Sequence, residues 1–378
     1  MLFKNGLVLG EDFRFSRADV RVTGEKIALI APDVTPENES VIDLGDRLLL
    51  PGLINIHVHG ALGHDFTEIN RENFTDVRRF LALNGATSFL PTTLTLPPDG
   101  IIDALSRLSE YSGNDDRGAQ MLGIHLEGPY LSPAYKGAHN ADWLTLPRLR
   151  DFKTLQNAAH GQIKLVTVAP ELDGAIDFIR GITPETRVSL GHGGTDYQLC
   201  REAFASGATQ ITHMFNVMPS LHHRNISLIT AAFETGCFTE LICDGYHVEP
   251  TVVQMAYRIF GDDHIVVITD GIAATGLPDG VYSFGGEVSV VTGGVGRLRD
   301  GTINGGTSTM IQAVRNLKRW GIPVESAVKM ASYNSACAVD VQDHKGRIAI
   351  GYDADLLVVN TELSIDRVML RGQFLESC

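Results

Sequence analysis

The sequence predicts an α/β protein: a (β/α)8 TIM barrel joined to a small β-sandwich domain built from the N- and C-terminal segments. Apolar runs rich in β-branched residues alternate with segments of helical periodicity through the middle of the chain, whereas both ends carry short alternating runs and turn residues. We therefore expect a small β domain over residues 1–50 and 346–378 and a barrel over residues 51–345. A doubly wound parallel sheet is the structural alternative.

Eight apolar runs give the predicted barrel strands. They occupy residues 48–58, 86–93, 121–127, 163–170, 187–192, 209–215, 238–244 and 264–270. Helical segments separate the runs, and three of these segments end on a glycine, which suits a helix C-terminus. These three cover residues 71–85, 196–207 and 249–261. A hairpin is predicted over residues 280–305, inserted after the eighth strand.

Composition and charge narrow the class of protein. The chain has 378 residues with 44% hydrophobic content, which is enough to bury a sizeable core. Its formal net charge of −14 supplies no basic face for nucleic-acid phosphates, so an anionic ligand must be held by a local cluster of donors. The five cysteines are scattered without a Cys-x-x-Cys pair, and no apolar stretch is long enough to cross a membrane. We therefore expect a cytoplasmic protein without nucleic-acid or membrane partners.

Histidines and acids cluster at the C-terminal ends of the predicted strands, which is where barrel enzymes carry their chemistry. His57 and His59 lie two apart at the end of the first run, so both side chains point to one face of the strand. A single histidine on a strand is more often a structural residue. Two histidines on one face, beside a glycine, indicate a functional site more strongly. The other strand-end residues are Glu127, His192, His213 and Asp270. In a barrel these side chains would converge on one point.

Imidazole and carboxylate ligands without thiolates suit zinc, ferrous iron or manganese. We expect one or two divalent ions per subunit, with zinc or iron favoured, and the metal ligands His57, His59, Glu127, His192 and His213. A metal ion lowers the pKa of bound water toward about 7 and polarises a carbonyl group. Asp270 is the expected catalytic residue, taking the proton from water and returning it to the leaving nitrogen. The predicted reaction is metal-assisted hydrolysis of an amide-like bond.

Several motifs resemble a known family. The His57-Val58-His59 pair, the strand-end histidines and TDG at 269–271 are similar to the amidohydrolase superfamily. The segments HLEGPY, KGAHN, GHGGT, THMFNVMP, DGYHV and ITDG resemble its N-acetylglucosamine-6-phosphate deacetylase family, over nearly the whole chain. The resemblance implies a hydrolase that removes acetate from N-acetylglucosamine 6-phosphate to give glucosamine 6-phosphate. Many superfamily members bridge two metals with a lysine on the fourth strand; here Lys164 starts that run, and the resemblance gives this role to Glu127.

The resemblance also implies a pocket for an amino-sugar phosphate. Its lining residues would be Ala138, His139, Asn216, Val217, Arg224, Asp244, His247, Ile303, Asn304 and Gly305. His139 and His247 would hydrogen-bond the sugar or the carbonyl group, and Arg224 would pair with the phosphate. In the family this arginine reaches the neighbouring subunit, which implies a homodimer. One segment and one single position depart from the family pattern: Asn225-Ile226-Ser227 stands where Glu-Pro-Gly is usual, and Val217 replaces a more usual alanine.

Two other functions remain open. One is a related amidohydrolase acting on N-acetylgalactosamine 6-phosphate or on a cyclic amide, although DGYHV and KGAHN favour an acetamido sugar. The other is a non-catalytic protein that binds a sugar phosphate, but such a protein has no use for the proton shuttle of Asp270. Further polar residues are expected to have structural roles in packing, loops or helix starts: His64, Asp65, His125, Glu171, Asp196, His222 and His223.

Overall fold

A closed barrel of parallel strands lies at the centre of the computed structural model, which describes residues 1–112, 118–183 and 185–376. Each barrel strand pairs with the next along the chain, so the predicted (β/α)8 fold class is confirmed. From first to eighth, the barrel strands are Leu53–Val58, Ala86–Thr93, Ile124–Glu127, Ile163–Val168, Arg187–Leu190, Gln210–Ile211, Phe238–Ile242 and Ile265–Ile268. An extra short strand, Gln120–Met121, pairs with the second one.

Backbone hydrogen bonds close the barrel between its eighth and first strands. Asp270 N donates to His57 O over 3.1 Å, and His59 N donates to Gly271 O over 2.8 Å. These bonds therefore join the strand ends that carry three of the predicted site residues. Because the strands are parallel, their C-terminal ends meet at one mouth of the barrel.

The first predicted run, residues 48–58, is two strands rather than one. Leu48–Pro51 belongs to the terminal sheet, and the barrel strand begins after Gly52. A Cβ atom on Gly52 would lie only 2.0 Å from Thr87 Oγ1, so the backbone can pass this point only as glycine. The continuous apolar run does not show where the chain passes from one sheet to the other, because the strands of both sheets are buried here.

Helices cover the outside of the barrel. Asn70 caps the first helix by accepting from Asn73 N over 2.9 Å, and Asp196 caps another by accepting from Gln198 N over 2.8 Å. The three predicted helices are confirmed; one is shorter than predicted at its C-terminal end, and the other two are shorter by one or two residues at each end. Among the described residues the α-helices are Arg71–Leu83, Pro98–Tyr111, Leu149–Ala158, Ala175–Ile182, Tyr197–Ala205, Leu228–Thr235, Pro250–Phe260, Met310–Arg319, Val324–Ala331 and Tyr333–Ala338, with 3₁₀ turns at Pro133–Tyr135 and Ala141–Trp143.

The two ends of the chain build one sheet beside the barrel. Its strands are Leu2–Leu9, Phe15–Thr23, Lys26–Ala31, Val41–Asp43, Leu48–Pro51, Leu356–Val359, Ile365–Leu370 and Gln373–Phe374. Leu356–Val359 pairs with Leu48–Pro51, which joins the C-terminal strands to the N-terminal ones. Buried side chains from both ends, such as Phe3 and Met369, share a core. We propose that this sheet is the domain predicted over 1–50 and 346–378; residues 377–378 lie outside the described residues.

The insertion after the eighth strand is a sheet of four antiparallel strands, larger than the predicted hairpin. Its strands are Gly280–Phe284, Glu287–Thr292, Val295–Arg297 and Ile303–Gly306. The last strand is anchored beside the barrel mouth, since Gly306 N donates to Asp270 O over 3.1 Å. The inserted sheet therefore forms one wall above the strand ends. A smaller antiparallel pair, Gly60–Ala61 with His64–Asp65, follows the first barrel strand.

The described helices include none that is long and apolar enough to cross a membrane. Four described cysteines, Cys200, Cys237, Cys243 and Cys337, are free thiols. Burial raises the pKa of the Cys200 thiol from 9.0 to about 12, so this thiol is held in its unreactive neutral form.

Candidate active site

The carboxylate of Glu127 lies at the centre of a ring of imidazoles in the barrel mouth. Its side chain is 2% exposed, and its Oε1 lies 3.3 Å from His57 Nε2, 3.2 Å from His192 Nε2 and 3.1 Å from His213 Nε2. The other oxygen, Oε2, lies 3.2 Å from His59 Nε2. The structure thus brings together all five residues that the sequence analysis named as metal ligands, and all four histidines present the same ring nitrogen.

Asp270 lies on the His57 and His59 side of this cluster. Its Oδ1 is 3.2 Å from His59 Nε2 and 3.5 Å from His57 Nε2. These three residues form one group able to hold a cation, and Glu127 lies between them and His192. The carboxylate of Glu127 is therefore shared by two possible ion positions.

Three of these strand-end residues have left-handed backbone conformations. The φ angles are 48° at His192, 29° at His213 and 48° at Asp270. Residues other than glycine rarely adopt such angles, and where they do, the strain commonly accompanies a functional site. Here the left-handed turn occurs just where a strand ends, and the three side chains lie in the barrel mouth.

The donor set fits a divalent cation. Two atoms that each lie about 2.1 Å from one tetrahedral zinc ion are about 3.4 Å apart, close to the nitrogen–oxygen separations around Glu127. His57 Nε2, which faces Glu127 and Asp270, is buried without a hydrogen-bond partner. A buried imidazole nitrogen without a partner is costly unless an ion or water satisfies it. An ion bound in the cluster would therefore satisfy a nitrogen that the protein leaves without a partner.

The pKa shifts of His59 and Asp270 also indicate that the cluster suits a cation. Burial disfavours the charged imidazole of His59, but hydrogen bonds to Asp270 and Glu127 raise its pKa from 6.5 to about 9. Burial likewise opposes charge on Asp270, yet the charge of His57 and the hydrogen bond from His59 hold the pKa of Asp270 well below its ordinary value. His57 and His59, whose pKa values are raised, thus carry positive charge beside the carboxylates of Glu127 and Asp270, and a cation would supply the same charge.

Hydrogen bonds behind His57 and His192 decide which ring nitrogen each of these two imidazoles presents to the cluster. Tyr135 O accepts from His192 Nδ1 over 2.9 Å, so His192 Nε2 is left with its lone pair toward Glu127. Burial lowers the pKa of His192 to about 4, which keeps this ring neutral. His57 Nδ1 lies 3.0 Å from Glu240 Oε2 on the seventh barrel strand. The sequence analysis missed Glu240, because an acid alternating with apolar residues in a strand resembles a surface position.

His139 has the opposite hydrogen-bond pattern. Its Nδ1 accepts from the backbone N of Thr95 over 3.2 Å, so the hydrogen of the neutral ring is on Nε2. That Nε2 lies 3.4 Å from Glu127 Oε2, close enough to be grouped with the metal ligands on distance alone. A nitrogen that carries its hydrogen cannot bind a metal, so His139 presents a hydrogen-bond donor to the barrel mouth. Its contact with a substrate stays a prediction.

A cavity of about 310 Å³ opens above the cluster. It brings together most residues predicted from the resemblance, namely Ala138, His139, Asn216, Val217, His247, Ile303, Asn304 and Gly305. The sequence analysis missed three lining residues, Phe215, Phe284 and Thr302. Phe215 stands within the quoted THMFNVMP motif, whereas Phe284 and Thr302 belong to the inserted sheet. No motif marked those two positions, because only the folded sheet brings them over the mouth.

Val217 forms part of the cavity wall beside Gly137. A Cβ atom on Gly137 would lie 3.1 Å from Val217 Cγ2, and the φ angle of Gly137 is +57°. Gly137 therefore accommodates the valine that replaces the family's usual alanine. The extra methyl groups stand where they can narrow the cavity.

Asp244 does not line the cavity but supports His247. Asp244 Oδ2 lies 2.6 Å from His247 Nδ1, and Asp244 Oδ1 accepts from His247 N over 2.9 Å. Burial disfavours the charged imidazole, yet the hydrogen bond to Asp244 raises the pKa of His247 above its ordinary value. His247 is therefore fixed with Nδ1 toward the acid and Nε2 available to the cavity.

Arg224, like Asp244, is absent from the cavity lining of its own chain. It lies on an exposed loop, where its backbone N donates to His222 Nδ1 over 3.2 Å. His222 thus shapes this loop, as expected. No lysine or arginine is among the described residues that line the cavity.

The residues expected to have structural roles have such contacts. His125 is buried under the cluster, with Nε2 2.8 Å from Thr167 Oγ1, and His64 Nδ1 is 3.3 Å from Asn73 Nδ2. Asp65 Oδ1 accepts from Thr67 N over 2.8 Å, which forms a turn. Glu171 has a larger role than expected, because it accepts from Gly194 N over 2.7 Å in the loop after His192.

Comparison with known proteins agrees with this geometry. The amidohydrolase family profile matches residues 48–375. The chain is 34% identical to the N-acetylglucosamine-6-phosphate deacetylase of Bacillus subtilis, over 98% of this chain and 96% of the relative. It is 33% identical to the N-acetylgalactosamine-6-phosphate deacetylase of Escherichia coli O157:H7, over 90% of this chain and 91% of the relative.

A solved structure of a deacetylase has the same fold as this chain. The N-acetyl-D-glucosamine-6-phosphate deacetylase of Mycobacterium smegmatis, an aspartate-to-alanine variant in complex with N-acetyl-D-glucosamine-6-phosphate, superposes with a TM-score of 0.93. The two chains are 29% identical, and the match covers 100% of this chain and 99% of that one. With its family profile, its near-full-length relatives and its cluster of histidines and acids, this chain belongs to the amidohydrolase family, among relatives that are N-acetylglucosamine-6-phosphate deacetylases.

Proposed function

We propose that this chain is a metal-dependent N-acetylglucosamine-6-phosphate deacetylase, which hydrolyses the acetamido group to give glucosamine 6-phosphate and acetate. The observation that carries the proposal is the Glu127 carboxylate, ringed by imidazole Nε2 atoms at 3.1–3.3 Å beneath a cavity that Asp270 also lines. Near-full-length relatives with this activity support it.

The residues that would hold the metal form two groups around Glu127. His57, His59 and Asp270 lie on one side, and His192 and His213 lie on the other. A divalent cation here would polarise the amide carbonyl and lower the pKa of a water molecule. Zinc and ferrous iron both suit this imidazole and carboxylate set.

The chain's own residues would position the amide and move the proton. Asp270 takes a proton from the water that adds to the acetyl carbon, and returns it to the nitrogen as the carbon–nitrogen bond breaks. His139 Nε2–H donates to the acetyl oxygen, because its Nδ1 is already an acceptor. His247, fixed by Asp244, hydrogen-bonds the sugar phosphate. Phe215 and Phe284 restrict water at the cavity wall.

N-acetylgalactosamine 6-phosphate is a second candidate substrate. The relative that acts on it is 33% identical, close to the 34% of the Bacillus subtilis relative, so sequence identity does not separate the two epimers. We favour the glucosamine epimer, because relatives acting on it predominate among the curated matches.

The test is a panel of N-acetyl amino-sugar 6-phosphates, their unphosphorylated counterparts and a cyclic amide. We expect acetate release to be fastest with N-acetylglucosamine 6-phosphate, with metal bound in the same sample. Asp270→Asn is the matched control. Tight binding of the sugar phosphate without acetate release in the metal-loaded protein would favour the non-catalytic alternative.

We further propose a homodimer in which Arg224 binds the phosphate in the neighbouring subunit's cavity. Three observations support it: Arg224 is exposed, the described residues lining the cavity include no lysine or arginine, and an apolar groove borders the arginine loop. The groove includes Leu221, Phe233, Met255 and Ile259, whose side chains are 40–55% exposed. Such a patch is characteristic of a protein interface. A cytoplasmic location is proposed from the free thiols.

A further inference from the structure

Glu240 is a buried acid in the barrel interior that has no direct place in the proposed reaction. It is 0% exposed and lies on the seventh barrel strand. It is not among the residues that line the cavity, so it does not touch a substrate there. Burying a carboxylate is costly unless its oxygens are well satisfied.

Three contacts satisfy this carboxylate, and two of them involve metal-ligand residues. Glu240 Oε2 lies 3.0 Å from His57 Nδ1 and accepts from the backbone N of His213 over 3.2 Å. Oε1 accepts from Gln210 Nε2 over 3.2 Å. Among the described residues, His57 is the ion-pair partner of Glu240, and no lysine or arginine pairs with it.

The chemistry of this contact fixes the tautomer of His57. A carboxylate only accepts hydrogen bonds, so the hydrogen shared with Glu240 belongs to His57 Nδ1. His57 Nε2 then presents its lone pair to the space between Glu127 and Asp270. An acid behind a metal-binding imidazole also raises the basicity of the ligand and fixes the orientation of its ring.

We infer that Glu240 is a positioning residue that acts through His57 and determines how tightly a cation binds between His57, His59 and Asp270. This rests on the proposed metal-dependent function. The other ion position, around His192 and His213, depends on Glu240 only through the backbone of His213. Loss of Glu240 should therefore affect the two positions unequally.

Two substitutions separate the hydrogen bond from the charge. Glu240→Met fills a similar volume but removes the acceptor, so His57 is free to change tautomer. Glu240→Gln retains an amide oxygen for His57 and His213, and its NH2 group can donate to Gln210 Oε1, which is otherwise without a partner, once the Gln210 amide turns over. We expect Glu240→Gln to be the conservative variant, with metal affinity between those of Glu240→Met and the wild type.

The experiment measures metal directly. Purified full-length variants are analysed for bound metal per chain, stripped with chelator, and titrated with Co²⁺ while the visible spectrum is recorded. We expect Glu240→Met to weaken one cobalt-binding step by about 10–100-fold. The same step should be weakened at least as strongly in His57→Asn, and adding Glu240→Met to His57→Asn should weaken that step no further, since both changes act on one ring.

Asp19→Asn is the matched control, because Asp19 is another buried acid, paired with Lys4 at 3.0 Å in the terminal sheet. It should lower thermal stability without changing cobalt binding. Equal weakening of both steps in Glu240→Met, additive losses in the double variant, or no effect of His57→Asn on any cobalt step would each overturn the inference. If Glu240→Met does not fold, wild-type cobalt binding in Glu240→Asp, which retracts the carboxylate, would overturn it too.

Measuring acetate release distinguishes a failure of the proposed function from a failure of the proposed role of Glu240. A wild-type protein that shows this cobalt pattern but releases no acetate from any sugar phosphate would contradict the proposed function alone. A protein that releases acetate while Glu240→Met binds cobalt like the wild type would contradict only the role of Glu240.

Discussion

At the scale of single residues, the hydrogen-bond partner behind the ring separates the chemistry of His192 from that of His139. His192 gives a hydrogen to the carbonyl of Tyr135 and keeps a lone pair for a metal, whereas His139 accepts from Thr95 N and keeps a hydrogen for a substrate. Both Nε2 atoms lie within 3.4 Å of Glu127, so distance alone would give them the same role. The hydrogen bond on the far side of each ring distinguishes them.

The first prediction concerns Asp270, whose carboxylate is the proposed proton acceptor. Asp270→Asn keeps the shape of the side chain but removes its basicity, so we expect the turnover number to fall by about 100-fold or more. Steady-state acetate release, with metal analysis of the same sample, measures this. Glu127 and the imidazoles remain, so most of the metal should stay bound. Turnover close to that of the wild type would contradict the proposed role.

At the scale of elements, the ends of barrel strands from different parts of the sequence supply one site. The first strand carries His57 and His59, the third carries Glu127, and the loops after the fifth and sixth carry His192 and His213. The inserted sheet covers this mouth and adds Phe284 and Thr302 to the cavity.

The second prediction compares the first and third strands. Because Glu127 lies within 3.3 Å of imidazoles on both sides, Glu127→Gln should weaken every bound ion. The double change His57→Asn and His59→Asn removes ligands from one side only, so part of the metal should remain. Metal per chain, measured in both variants, is the readout. Equal loss in the two variants would indicate a single ion held by all the ligands.

At the scale of the whole molecule, a buried lysine joins the barrel to the terminal sheet. Lys345 is 3% exposed, and its Nζ lies 2.6 Å from Asp355 Oδ2 and 2.9 Å from Asp353 Oδ2. Asp353 also pairs with Lys26 of the N-terminal segment at 2.7 Å. These contacts join the N- and C-terminal segments to Lys345, which lies where the chain leaves the barrel.

The third prediction follows from this junction. Lys345→Met leaves two largely buried carboxylates without their shared cation, so we expect the free energy of unfolding to fall by about 3–5 kcal/mol. Denaturant unfolding of the metal-stripped proteins measures the difference. Arg150→Met is the control, since Arg150 is an almost fully exposed residue, and it should change the unfolding free energy little.

The pH dependence of that difference has a definite sign. Burial opposes charge on Asp353, but Lys345 lowers the pKa of Asp353 below 3.8, so its contribution is present above pH 3.8 and is lost as the pH falls further. Burial also opposes charge on Lys345, but Asp355 and Asp353 raise its pKa above 10.5, so its contribution is lost as the pH rises beyond 10.5. The difference between wild type and Lys345→Met should be constant between these limits. A maximum outside them would contradict the ion-pair origin.

The fourth prediction concerns the proposed dimer. Arg224→Ala removes an ion-paired hydrogen bond, worth about 1.5–3 kcal/mol, and should raise the Michaelis constant for the phosphorylated sugar by about 10- to 150-fold. Activity on the unphosphorylated sugar should barely change. Mixing Arg224→Ala chains with Asp270→Asn chains should restore activity, because one cavity then combines an intact arginine with an intact aspartate. No recovery in a mixture shown to exchange subunits would mean that the arginine does not act across the interface.

The sequence by itself determined the alternation of strands and helices, the strand-end positions of His57, Glu127 and Asp270, and the family. These features depend on local periodicity and on short motifs, which a linear chain displays directly. Parallel strands then require that their C-terminal ends meet, so the convergence of the ligands could be foreseen.

Only the tertiary structure decided the details that depend on residues distant in sequence. The run 48–58 divides at Gly52 because Thr87 packs against it, and Phe284 reaches the cavity because the inserted sheet folds over the mouth. Glu240 is 183 residues from His57 in the chain, yet the two side chains share a hydrogen bond in the barrel interior. No local pattern records such a contact, because it exists only once the barrel has closed and excluded water from both groups.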